Sequence, residues 1–181
     1  MSRIRWSVFI SGVGSNLAAI LEERDHVDIA LVVSSRAEAP GLLKAQRAGV
    51  KTHVLDKKID WDKLHQTLLD HKIENIFLAG FMRILPAGFI ERWQGKILNL
   101  HPSLLPEFPG LASIQRAVEA GGPFGVTVHE VIPEVDAGPI VLQRRFSLPE
   151  NADLETVEKI YHSHEHQLVR ESIKTWKKKP T

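Results

Sequence analysis

The chain has 181 residues, 43% hydrophobic and 25% charged, with 23 Lys and Arg against 22 Asp and Glu. Such a length suits one domain that buries about 70% of its unfolded surface, and the composition excludes a disordered tail, a collagen-like repeat and a disulfide scaffold. A formal charge of +1 supplies no chain-wide field for nucleic acid, and the lack of cysteine excludes disulfides, thiolate metal sites and thiol catalysis. The longest apolar run near the start, Val8-Phe9-Ile10, is too short for a signal peptide or a spanning helix. A cytoplasmic protein with no membrane or nucleic-acid partner is expected.

Residues 5–10 read as a strand, 11–16 as a glycine-rich turn, and 17–23 as a helix with Leu17, Ile20 and Leu21 on one face. A second strand follows at 29–33, then a helix at 40–48 stopped by Gly49, and a short third strand at 52–55. Residues 60–71 form a helix capped by Asp60, with Trp61, Leu64 and Leu68 at helical spacing; Leu68 and Leu69 are expected in the core, as are Trp61 and Trp93. The run 76–79 is wholly apolar, as suits a buried parallel strand, and 86–93 is a helix opened by Pro86. A fifth strand at 97–100 ends at His101-Pro102, and a helix at 111–120 closes on Gly121-Gly122. Strands at 126–131 and 140–146 flank a turn rich in Pro, Asp and Gly, and a long helix runs from 153 to about 177. The β-α-β-α order predicts an α/β, Rossmann-like fold: a mostly parallel sheet, helices on both faces, and a mixed C-terminal extension. Ligands of such sheets bind beyond the carboxyl ends of the strands, which singles out the turns after the first and fifth strands.

The first of these turns is Ser11-Gly12-Val13-Gly14-Ser15-Asn16. Backbone N–H groups and a helix start suit a phosphate there. The third glycine of a dinucleotide fingerprint is replaced by Leu17, and no Walker lysine follows. Two readings stand, a phosphomonoester site and a plain tight turn with a capping Ser or Asn. At the second turn, Asn99 and His101 lie two apart on an extended segment and so share a face. Asn offers an amide donor to an oxyanion, and His a second donor or a proton shuttle. Asp136 lies in Pro133-Glu134-Val135-Asp136-Ala137-Gly138-Pro139, a turn able to swing a carboxylate to His101 and raise its pKa. The three suit direct attack of a neutral nucleophile on an acyl carbon. A strand-end Asn and His satisfied by backbone, with a turn Asp, is the plainer alternative.

Several segments together resemble the folate-dependent phosphoribosylglycinamide formyltransferases. They are Phe9-Ile10-Ser11-Gly12 with Gly14-Ser15-Asn16-Leu17, Leu78-Ala79-Gly80-Phe81-Met82-Arg83-Ile84-Leu85, Leu98-Asn99-Leu100-His101-Pro102-Ser103-Leu104-Leu105-Pro106, Pro109-Gly110, Thr127-Val128-His129, and Val135-Asp136-Ala137-Gly138-Pro139-Ile140. They cover roughly residues 6–146 in family order. The resemblance implies one formyltransferase domain over 1–181, with a phosphate-binding half to about 100 and a folate and catalytic half beyond it. It implies transfer of a formyl group from 10-formyltetrahydrofolate, a co-substrate, to the glycyl amine of 5-phosphoribosylglycinamide in purine synthesis, without a metal. Gly14, Ser15 and Asn16 would hold the ribonucleotide phosphate. Asn99 would bind the formyl oxygen, His101 would act as the acid, and Asp136 would tune His101. Met82, Arg83, Ile84 and Leu85, with Asn99, would line the folate pocket, Glu165 would approach the substrate amine, and Lys57 or Lys58 would meet the folate tail. The expected assembly is a monomer or a homodimer.

Some residues depart from that pattern. Val13 stands where many members are polar, and Leu111-Ala112-Ser113-Ile114-Gln115-Arg116-Ala117 replaces a His-containing stretch and is closer to the methionyl-tRNA formyltransferases. A different amine acceptor, such as an amino sugar nucleotide, or a formyltetrahydrofolate hydrolase are therefore the alternatives. The added C-terminal domain of the tRNA enzymes and the N-terminal regulatory domain of the hydrolases are not expected. His162 and His166 share a helix face while His164 points away, so a solvated helix is expected rather than a metal site. The run Lys177-Lys178-Lys179 is expected to complement the helix dipole or fray, and His129 to be structural or to support the site.

Overall fold

The computed structural model describes residues 3–176. In chain order the elements are β1 (Arg5–Ile10), α1 (Ser15–Leu21), β2 (Asp28–Ser34), α2 (Gly41–Arg47), β3 (Lys51–Val54), α3 (Trp61–Asp70), β4 (Asn75–Leu78), α4 (Ala87–Arg92), β5 (Ile97–His101), α5 (Ser113–Glu119), β6 (Phe124–Glu130), β7 (Ile140–Phe146) and α6 (Leu154–Thr175). One seven-stranded sheet runs in the order β3-β2-β1-β4-β5-β6-β7. Pairing is parallel from β3 to β5 and antiparallel at β5-β6 and β6-β7. The protein is thus α/β with a mostly parallel sheet and an antiparallel extension, as the pattern of segments implied. The chain steps outward from β1 to β3 and returns to the other side of β1 as β4. The crevice between the carboxyl ends of β1 and β4 is therefore the topological switch point, where such sheets take ligands.

Period-two alternation along the strands divides the apolar side chains between two cores. Val8, Ile10, Phe77, Leu98, Leu100, Val126 and Val128 face α1 and α6 together with Leu17, Ile20, Tyr161, Leu168 and Val169. Phe9, Leu31, Val33, Ile76, Leu78 and Ile97 face α3 and α4 with Leu64, Leu68, Phe89, Ile90 and Trp93. Helices accordingly cover both faces of the sheet. Asn99 and His101 share the Ile97 side of β5, opposite Leu98 and Leu100, so the alternation read from sequence places them together.

Most helix limits differ from expectation by one or two residues. α1 opens at Ser15 rather than at 17, because Gly14 adopts a left-handed conformation (φ 71°) that turns the chain straight into the helix. A side chain at Gly14 would also press to 2.8 Å from the Cα of Gly41. Asp60 caps α3 by accepting from the Lys63 N–H, as its sequence position predicted. Leu69 is a correction: it is 47% exposed, whereas Leu68 is fully buried. The next residue along a helix lies about 100° round the axis, so one of two adjacent leucines must leave a narrow apolar stripe. Trp93 is buried, while Trp61 is only partly so, with its ring 5.2 Å from that of Phe89. The lysines at 177–179 lie outside the described residues.

Candidate active site

Ser11 follows the last residue of β1 and ties the rims of the crevice together. Its buried Oγ accepts from the Met82 N–H at 2.8 Å and shares a hydroxyl hydrogen bond of 2.6 Å with the Ser35 Oγ. The ends of β1, β2 and β4 are so joined through one hydroxyl. On one side of this tie sits the glycine turn. The first intrahelical bond of α1 is Ala18 N–H to Gly14 C=O, so the N–H groups of Ser15, Asn16 and Leu17 have no partner within the helix. Lys44 of α2 brings its Nζ to 3.4 Å from the Gly14 carbonyl. The Asn16 Nδ2 donates to Glu165 of α6 at 3.2 Å, and its Oδ1, buried, has no partner among the described residues. Burial pushes the Glu165 pKa up, and the Asn16 hydrogen bond and the charge of His162 offset only part of that.

On the other side of the tie is the loop after β4. Met82 and Ile84 are exposed at 72% and 82%, an arrangement that leaves apolar side chains open to a ligand. Leu85 instead points into the core beside Phe89, so only its backbone can face a ligand. Arg83, Lys57 and Lys58 are exposed.

Asn99, His101 and Asp136 converge at the end of β5. The His101 Nε2 donates to the Phe108 carbonyl at 2.9 Å, and its Nδ1 lies 3.3 Å from the Asp136 Oδ2. The same Oδ2 accepts from the Gly110 N–H at 2.8 Å, and the Oδ1 lies 3.5 Å from the Asn99 Nδ2. Phe108 and Asp136 both hold φ near 53°, a left-handed conformation that is costly for residues with a side chain. The site therefore rests on two strained loop positions, each fixing one nitrogen of the imidazole. Gly138 allows the second: a Cβ there would fall 1.8 Å from the Glu130 carbonyl oxygen, against which the Asp136 turn packs.

The net shift of His101 runs opposite to expectation. Burial of the ring pushes its pKa down, and the Phe108 carbonyl and Asp136 carboxylate recover only part of that loss. For Asp136, burial alone would raise the pKa, but the His129 and Gly110 hydrogen bonds and the nearby imidazoles together hold it below the usual carboxylate value. Burial thus opposes the imidazolium that the facing carboxylate favours. With Nε2 donating to Phe108, protonation falls on Nδ1 and turns the Asp136 contact into a charge-assisted hydrogen bond.

His129 belongs to the same cluster. Antiparallel pairing sets it directly across from Asn99, and its Nε2 lies 3.1 Å from the Asn99 Nδ2 and 3.5 Å from the Asp136 Oδ1. Its Nδ1 faces the Glu130 carbonyl at 2.9 Å and carries a proton there, while its Nε2 lies between the Asn99 amide and the Asp136 carboxylate. Sequence signalled the face of His129 but not its partner strand. The contributions of Phe108 and Gly110 are made by backbone groups and leave no side-chain signature. On α6, His164 lies flat against Phe146 at 4.2 Å, and His162 stacks on His166 at 6.2 Å.

The open α/β sheet carries the glycine turn and the Asn-His-Asp cluster at the strand ends where such sheets take ligands. The chain belongs to the formyl transferase family, whose model matches residues 4–173. It is 40% identical over 174 residues to the phosphoribosylglycinamide formyltransferase of Haemophilus influenzae, covering 90% of this chain and 82% of that one. It is also 40% identical over 177 residues to the trifunctional purine biosynthetic protein adenosine-3 of Gallus gallus, but spans only 18% of that protein's length. The crystal structure of phosphoribosylglycinamide formyltransferase from Anaplasma phagocytophilum superposes with a TM-score of 0.92 at 39% identity, over 96% of this chain and 86% of that one. No helix among the described residues is long and apolar enough to cross a membrane.

Proposed function

We propose that the chain transfers a formyl group from 10-formyltetrahydrofolate to the glycyl amine of 5-phosphoribosylglycinamide. The observation that carries this reading is the convergence of Asn99, His101 and Asp136 at the crevice that also holds the glycine turn. The likeness to named phosphoribosylglycinamide formyltransferases supports the choice of substrates. The phosphate meets the unpartnered N–H groups of Ser15 and Asn16, with Gly14 allowing close approach. The orphan Asn16 Oδ1 is an acceptor, so with Glu165 it suits the ribose hydroxyls or the amine rather than phosphate oxygens. The folate lies along residues 82–85, with the exposed Met82 and Ile84 covering its apolar face and Lys57 or Lys58 near its acidic tail.

The neutral amine attacks the formyl carbon, a C–N bond forms, and the carbonyl electron pair moves onto oxygen. The Asn99 amide meets that oxyanion by releasing the long 3.5 Å contact its Nδ2 makes with Asp136. His101, once protonated at Nδ1, turns its Nε2–H from the Phe108 carbonyl to the oxyanion and keeps that proton through the step, while Asp136 stabilises the imidazolium through Nδ1. The tetrahedral carbon then collapses, the bond to folate N10 breaks, and N10 takes the proton that the amine has lost. Products are the formamide and tetrahydrofolate. Formyl transfer followed by absorbance of the deformylated folate, with and without 5-phosphoribosylglycinamide, tests the assignment. Turnover that depends on this acceptor is expected. Deformylation without acceptor, or turnover only with another amine, would overturn it.

A further inference from the structure

The strand ends opposite the candidate active site frame a second opening. It is an open cleft of about 820 Å³, formed where β1 begins and where the chain passes from α1 to β2, from α2 to β3 and from α3 to β4. Four cationic side chains line it, Arg3, Arg5, Arg24 and Lys72, against the carboxylates of Asp28 and Glu74. A chain whose formal charge is only +1 thus concentrates an excess of two positive charges in one cleft.

Arg5 occupies both carboxylates: its Nη1 pairs with Asp28 at 2.9 Å, and its backbone N–H donates to Glu74 at 3.0 Å. Arg3 and Arg24 are held differently. Arg3 donates to the Arg24 carbonyl, and Arg24 to the carbonyls of Leu21 and Ala48. Carbonyls orient a guanidinium without neutralising it, so both groups stand fixed and fully charged. Beside them Lys72 is exposed, on a residue with φ 55°. The floor is apolar, made by Val27, Ile29 and Val50. The volume lies within the roughly 300–1,000 Å³ usual for small-molecule sites.

We propose that this cleft binds a phosphate-bearing small molecule with a flat apolar body, of the nucleoside monophosphate class. Oriented guanidinium groups match phosphate oxygens, and the apolar floor takes the base. β1 separates the cleft from the Ser11 tie by about 20 Å, taking roughly 3.3 Å per residue, so one ligand cannot touch both sites. The two phosphate sites are therefore separable by experiment.

The test is a titration of isotope-labelled protein with AMP, read from backbone amide resonances, with adenosine and inorganic phosphate as controls. Saturable movement of the Arg5, Asp28, Val50 and Lys72 amides is expected, with adenosine and inorganic phosphate each at least about tenfold weaker than AMP. Arg3→Gln/Lys72→Gln is expected to weaken this response about tenfold while leaving any response at Ser15 unchanged. Lys72→Gln alone, at an exposed side chain, provides a variant safe for folding and is expected to weaken it about threefold. Movement confined to Ser15 and its neighbours, unchanged affinity in both variants, or inorganic phosphate acting as strongly as AMP would overturn the proposal.

Discussion

Replacing Asp136 by Asn is expected to slow formyl transfer tenfold to a hundredfold while the protein stays folded. The carboxylate lies 3.3 Å from the His101 Nδ1, with the two side chains only 10% and 8% exposed. At that separation a unit charge pair is worth about 5 kcal/mol at an effective dielectric of about 20. The asparagine dipole retains part of this attraction, and removing a buried charge recovers desolvation energy, which leaves a net loss of about 1.4–2.7 kcal/mol in the imidazolium-bearing transition state. Asparagine can still accept from the Gly110 N–H through its amide oxygen, so the turn keeps its anchor. Because the carboxylate, after the Phe108 carbonyl, raises the His101 pKa against burial, its loss lowers that pKa further. The pH range over which the imidazolium forms then shifts downward. Steady-state kcat, the His101 titration followed by NMR, and the thermal midpoint form the assay. A folded Asp136→Asn protein with kcat within about twofold of the parent and an unmoved His101 titration would refute the reasoning.

Other perturbations separate chemistry from scaffold. Asn99→Ala removes the oxyanion donor and is expected to lower kcat about 10²–10³-fold with little change in KM, measured by steady-state kinetics. Leu68→Ala should cost about 2–5 kcal/mol in urea unfolding, and Leu69→Ala under about 1 kcal/mol, since only the first leaves a cavity. Gly138→Ala forces the Asp136 turn off the Glu130 carbonyl, and both the thermal midpoint and kcat should fall; an unchanged kcat would show that the turn does not set the carboxylate. Glu165 has a folded-state pKa above its ordinary value, so its contribution to stability is present below the unfolded pKa of about 4.5 and is lost as pH rises through the folded value. Glu165→Gln should therefore be more stable than the parent at pH about 7, with the gain shrinking as pH falls toward about 4, as read from unfolding at the two pH values.

The sequence by itself determined the elements that depend on local pattern. Alternating apolar residues specify the strands and their two faces, and this alone puts Asn99 and His101 on one side of β5. Gly14 and the apolar periodicity after it specify a tight turn into a helix, and Asp60 specifies a helix start. Tertiary structure decided everything that depends on which strand lies beside which. The antiparallel return of β6 sets His129 across from Asn99, a relation that spacing along the chain does not encode. The reach of Asp136 to His101 depends on a left-handed turn seated against Glu130, where only glycine at 138 leaves room. The net direction of the His101 shift depends on the fold for the same reason. A sequence shows the carboxylate that would raise the pKa, but burial, which pulls it down, is a property of the packed fold. Leu69 is a smaller case: packing decides which of two adjacent leucines on α3 is buried, and it buries Leu68.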